Sequence, residues 1–142
     1  GAWPGISRVG EQGSQAAFLI AQHDIARPDL MRRNVELLSA AVSSGDAPSQ
    51  SLAHMVDRIR AFEGRRQLYG TQLGWNDDGE FGVWPPVEDP DELDIRRVHL
   101  GLPPLSERLA EVLSDPLQPR SIDDLASYRR EEEAFAIEVG WR

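Results

Sequence analysis

His23 is the first side chain in this sequence with an evident chemical use. It follows an apolar run and precedes Asp24. An imidazole oriented by a partner serves as a general acid or base near neutral pH. The competing reading is a capping histidine whose ring bonds a helix-terminal carbonyl. Asp57 and Arg58 come next. Their spacing places them on the helix face opposite Leu52, Val56 and Ile59, where Asp57 can orient His23 and Arg58 can bind an anionic group. The same pair also suits a surface salt network. If Asp57 is buried it needs a partner, and Arg58, Arg65 or His23 can supply one.

The stretch "EGRRQLYGTQLGW" carries the densest polar chemistry. Glu63 sits where a helix ends, and a carboxylate there is disfavoured by the dipole. It calls for a compensating arginine or a functional reason, and Arg65 and Arg66 are adjacent. Gln67, Tyr69 and Thr71 alternate, so an extended segment projects all three to one face, with Gln72 and Leu68 pointing the other way. Gly70 leaves room for close approach. Neutral hydrogen-bonding groups on one face can read an amide, a sugar or a carboxylate. They can equally anchor a hairpin as a polar network, which is costly to bury unless every member is satisfied. Arg96 and Arg97 can clamp an anion, or can stabilise a helix end and pair with Glu92 or Asp94.

These residues fall within a larger pattern: Trp3-Pro4, Val9-Gly10, Gln22-His23, Asp57-Arg58, Glu63-Gly64, Gln67 with "YGTQ", then Glu88-Asp89-Pro90, Asp94, Arg96-Arg97 and "GLPPL". The pattern resembles an uncharacterised family of small bacterial domains over roughly residues 3–109. The resemblance implies a shared fold and a bacterial origin, and carries no activity. It also implies a further helical segment before Trp3-Pro4 in many members, and an aromatic residue at position 54, where this chain has His54.

The elements that must position these groups follow from punctuation and periodicity. Residues 1–14 are glycine-rich and read as irregular, with Trp3 packed on the body and Ser14 capping a helix over about 15–23. Pro28 and Pro48 each open a helix, and Gly45 and Gly64 close them. Apolar residues recur between at three- and four-residue spacing. Short links make these helices antiparallel neighbours. "YGTQLGWNDDGEFGVWPPVE" reads as a β-hairpin or extended flap. "EDPDELDIRRVHLG" and "LPPLSERLAEVL" read as helices, the first with acids early and arginines late. The linker "SDPLQPR" leads to a last helix capped by Ser121 with Asp124 three residues on, ending near Val139. The expectation is a mainly α, compact helical bundle with a small hairpin. Residues 1–114 form the core, and 115–142 add a linker and a helix packed on the same domain.

Composition narrows the function classes. A chain of 142 residues with 40% hydrophobic content suits one globular domain. The net charge of −9 argues against a binder of nucleic-acid backbone. All 15 basic residues are arginine, which excludes a Schiff-base or P-loop lysine. With no cysteine there is no disulfide, thiolate nucleophile or cysteine metal site, in keeping with a cytoplasmic protein. The three histidines are far apart, and no HExxH, EF-hand, GxSxG or GxGxxG pattern occurs, so no metal or cofactor is expected. No apolar run nears the ~20 residues of a membrane span. The chain opens on Gly1-Ala2-Trp3-Pro4 without methionine, which tag removal, processing or excision from a longer protein would each explain.

Two function classes remain. One is a small-molecule site with possible acid–base catalysis: His23, Asp57 and Arg58 as the reacting set, and Gln67, Tyr69, Thr71, Gln72, Glu63 and Arg97 holding the substrate. The other is a non-catalytic protein-interaction module of a larger protein or complex, with Trp75 and Trp84 as an exposed hairpin anchor.

Overall fold

The computed structural model describes residues 1–115 and 117–142. Pro116, inside the predicted linker, lies outside the described residues. The chain is mainly α with one two-stranded hairpin, as expected. The order is α1 (Ile6–Gln22), α2 (Pro28–Ser43), α3 (Ser49–Phe62), β1 (Leu73–Trp75), β2 (Phe81–Val83), a 3-10 turn (Pro90–Glu92), α4 (Leu93–His99), α5 (Leu105–Leu113) and α6 (Ile122–Val139).

Helix α1 starts nine residues' worth of chain earlier than Ser14 would suggest, because its cap is supplied from elsewhere. The Asp46 carboxylate accepts from the Ser7 amide at 2.7 Å and its hydroxyl at 3.0 Å, and the Asp46 carbonyl accepts from the Ile6 amide at 2.9 Å. These contacts satisfy donors that a helix start leaves open. Gly10, at φ +75°, bends the helix, a conformation only glycine adopts at little cost. Ser14 is therefore a buried mid-helix residue, not a cap.

Pro28 and Pro48 mark the starts of α2 and α3 as the punctuation predicts, and both helices end just before their glycines. The core lies between them and against α1 and the C-terminus: Met31, Leu38 and Met55 are fully buried, joined by Ile59, Ala136, Trp3 and Trp141. Helix α3 is covered on more than one side. Ala53, Met55, Asp57 and Ile59 are all buried, which corrects the expectation that Asp57 lies on an outer face.

The hairpin pairs Leu73 with Val83, Gly74 with Gly82 and Trp75 with Phe81. Its turn is closed by the Asn76 side-chain oxygen, which accepts from the amides of Asp78 at 3.0 Å and Glu80 at 2.9 Å. Helix α6 starts at the predicted Ser121 cap, whose hydroxyl accepts from the Asp124 amide at 3.2 Å. It docks through buried Leu125, Ala136 and Trp141, whose indole donates to the Ile25 carbonyl at 2.8 Å. Among the described residues no helix is long and apolar enough to cross a membrane.

Candidate functional site

The stretch after α3 is not extended. It bends at Leu68 and Tyr69, and Gly70 takes φ +66° with Val87 and Leu105 close against it. The alternation of Gln67, Tyr69 and Thr71 therefore does not put them on one face. Their chemistry is shared out instead. One oxygen of Asp57 accepts from the amides of Leu68 (2.7 Å) and Tyr69 (3.1 Å). The other accepts from the amide and hydroxyl of Thr71, both at 2.9 Å. A carboxylate offers about four acceptor directions, so the loop occupies all of Asp57.

Arginines hold the same peptides from the other side. Arg96 donates to the Leu68 carbonyl at 2.7 Å, and Arg97 to the Tyr69 carbonyl at 2.6 Å and the Pro103 carbonyl at 2.7 Å. Two consecutive residues thus have their N–H groups on a carboxylate and their carbonyls on guanidinium groups, which are charge-assisted bonds. Gln67, fully buried, completes the loop. Its side-chain oxygen accepts from the Gln72 amide at 2.8 Å, and its side-chain nitrogen donates to the carbonyls of Gln72 (3.1 Å) and Pro85 (2.5 Å). Burial and the nearby Asp57 raise the Tyr69 phenol above its ordinary range.

Next to this frame lies a cleft of about 970 Å³, walled by the end of α3, the hairpin and the inner face of α6. Arg58, Phe62, Gln72, Trp84, Tyr128 and Phe135 are among its lining residues. Arg58 sits with its guanidinium 6.0 Å from the Phe62 ring centre. Its buried Nε has no hydrogen-bond partner among the described residues, and none of their carboxylates forms an ion pair with it. Burial lowers its pKa. Other lining arginines are engaged: Arg65 with Glu63, Arg129 with Asp77, Arg142 with Glu133, and Arg66 with the Val87 carbonyl.

The model of a family of unknown function, DUF6624, matches residues 2–117. The chain belongs to that family. No curated protein and no solved structure matches it. The DUF6624 match takes in α1 to α5 and the hairpin, and hence the Asp57 frame and two walls of the cleft. Helix α6, the third wall, lies beyond the match.

The sequence candidates are thus dispersed. Asp57, Gln67, Tyr69, Thr71, Gln72 and Arg97 gather around one loop. Arg58 and Gln72 line the cleft, and Gln72 belongs to both. Glu63 is bonded by Arg32 at 3.0 Å and Arg65 at 3.2 Å, the compensation its position requires. His23 is exposed at the C-cap of α1 and is not among the cleft-lining residues. The histidine whose field includes Asp57 is His54. Tyr128, Arg129 and Phe135 were not singled out from sequence. Their role depends on how α6 docks, which its local Ser121–Asp124 cap does not specify. Trp84 was read as an exposed anchor. It is half-buried, with the Arg129 guanidinium 4.5 Å from its ring, and Arg120 lies 4.1 Å from the Trp75 ring.

Proposed function

We propose that this DUF6624 domain binds a small anionic molecule in the cleft between α3, the hairpin and α6. The supporting observation is Arg58. Its guanidinium lines the cleft with no carboxylate paired to it among the described residues, a partly desolvated charge left unmatched, and an anion in the cleft would match it. The volume lies within the range of small-molecule sites, and the lining sets aromatic side chains among arginines and glutamates. The polar network of Asp57, Gln67, Arg96 and Arg97 serves in this reading as the rigid support that holds Gln72 at the cleft wall.

The test is a fragment screen followed by amide and indole NMR shifts on the 142-residue chain. Hits are expected to move Gln72, the Trp84 indole and Tyr128 together, and Ala61→Phe, which fills the cleft, is expected to abolish those shifts. Hits that map to another face, or that survive Ala61→Phe unchanged, would overturn the assignment.

A further inference from the structure

We infer that the cleft's ligand is a monocarboxylate carried on a flat ring system, an inference that rests on the cleft reading and narrows it. Charge sets the first limit. Arg58 and Arg66 are the lining arginines that form no ion pair among the described residues, and Arg66 is bonded to the Val87 carbonyl, while Glu131 and Glu132 line the opposite wall and Glu133 is paired with Arg142. Arg58 facing these acids, in a chain of net charge −9, favours an anion of low charge over a polyanion.

Phosphate sites are usually built from backbone amides at a loop or a helix start. Here the amides of Gly64, Arg65 and Gln72, loop residues that line the cleft, are already held by the Ala61 carbonyl, the Arg60 carbonyl and the Gln67 side chain. Helix α6 presents residues 125–136 to the cleft, from its middle and not its N-terminus. Anion recognition therefore falls to one planar guanidinium, whose paired N–H groups match a carboxylate edge.

Phe62, Trp84, Tyr128 and Phe135 line the cleft with Arg58. Phe62 stacks on Trp141 at 5.4 Å, Arg129 lies over Trp84 and Arg120 over Tyr128. Rings already stacked in this way suit a flat ligand laid against their remaining aromatic surface.

The experiment uses a matched series on the intact chain: 2-naphthoate, 2-naphthamide and 2-naphthyl phosphate, titrated by calorimetry and by tryptophan fluorescence. 2-Naphthoate is expected to bind about tenfold or more tighter than the neutral amide, and tighter than the phosphate. Arg58→Met is expected to erase the acid-over-amide preference while amide affinity stays. Arg58→Lys, which keeps charge and loses the paired donors, is expected to recover only part of it. Thermal melts of both variants establish that they are folded. Equal affinity for acid and amide, or a preference for the phosphate, overturns the carboxylate assignment and leaves the cleft as a binding site. Failure of all three compounds to bind, together with no fragment mapping to the cleft, overturns the cleft reading itself.

Discussion

The amide and the hydroxyl of Thr71 both donate to a single oxygen of Asp57, each at 2.9 Å. Asp57 is fully buried on α3, and the same carboxylate takes two more amides from the loop. Removing it leaves three backbone donors buried without acceptors, each worth about 1–3 kcal/mol. Asp57→Ala is expected to cost about 4 kcal/mol or more. Asp57→Asn keeps one acceptor but turns the other position into a donor facing donors, at about 3 kcal/mol. Thr71→Val removes only the hydroxyl bond and is expected to cost about 1 kcal/mol. Urea denaturation of the three variants checks the order. A neutral Asp57→Asn would show that the loop does not depend on this carboxylate.

Arg97 predicts a different contrast, between two adjacent arginines on one short helix. Arg97 is 2% exposed and spans the carbonyls of Tyr69 and Pro103, whereas Arg96, which spans those of Leu68, Glu88 and Asp89, is only half-buried, where water can replace a lost bond. A lysine has a single ammonium and cannot bridge two carbonyls with a planar fork. Arg97→Lys is expected to cost about 2–3 kcal/mol, and Arg96→Lys about 1 kcal/mol. Equal losses at the two positions would show that burial does not set the cost of losing the fork, and amide hydrogen exchange at Gly70 and Thr71 gives a local readout of the same difference.

The helices and the hairpin were legible because their signals are local. Pro28, Pro48, Gly45 and Gly64 punctuate the chain, and Ser121 with Asp124 announces α6. The unread parts all depend on partners distant in sequence. The start of α1 is hidden because its cap is Asp46, which becomes a neighbour only after α2 has turned back. Asp57 looked external because helical periodicity reveals one apolar stripe and says nothing of a loop returning over the other face. Gln67 and Thr71 were seen as important polar groups, but the bend and the positive φ at Gly70 redirect them inward. The cleft needs α6, whose docking through Trp141 to Ile25 and Arg129 to Trp75 joins residues 116 and 54 positions apart.

Arg58 gives a prediction of opposite sign to Arg97. It is a partly desolvated cation with an unmet donor, so its charge adds little to stability, and its stem packs by Phe62. Methionine keeps that apolar stem. Arg58→Met is expected to leave stability within about 1 kcal/mol of the parent, with any change upward. Differential scanning calorimetry at neutral pH measures it. A loss above about 2 kcal/mol would mean that Arg58 is a structural support, and the anion-binding role would fall with it.

His54 makes the pH dependence specific. Burial lowers its pKa from the ordinary value, Arg108 and Arg97 push the same way, and Asp57 opposes them. The imidazole edge meets Phe18 with ring centres 6.5 Å apart. In the unfolded chain the histidine titrates near its ordinary value of about 6.5, so below that pH the unfolded state holds a proton that the native state resists. Stability therefore falls as pH drops through about 6.5 and levels off below the folded pKa. His54→Phe keeps an aromatic ring beside Phe18 and removes the titration. The urea midpoints of parent and variant, compared at pH 7.5 and pH 5, report the difference free of the carboxylates common to both. The parent is expected to lose more stability on acidification than the variant. Equal losses, or a smaller loss in the parent, would show that His54 is protonated without penalty in the native state.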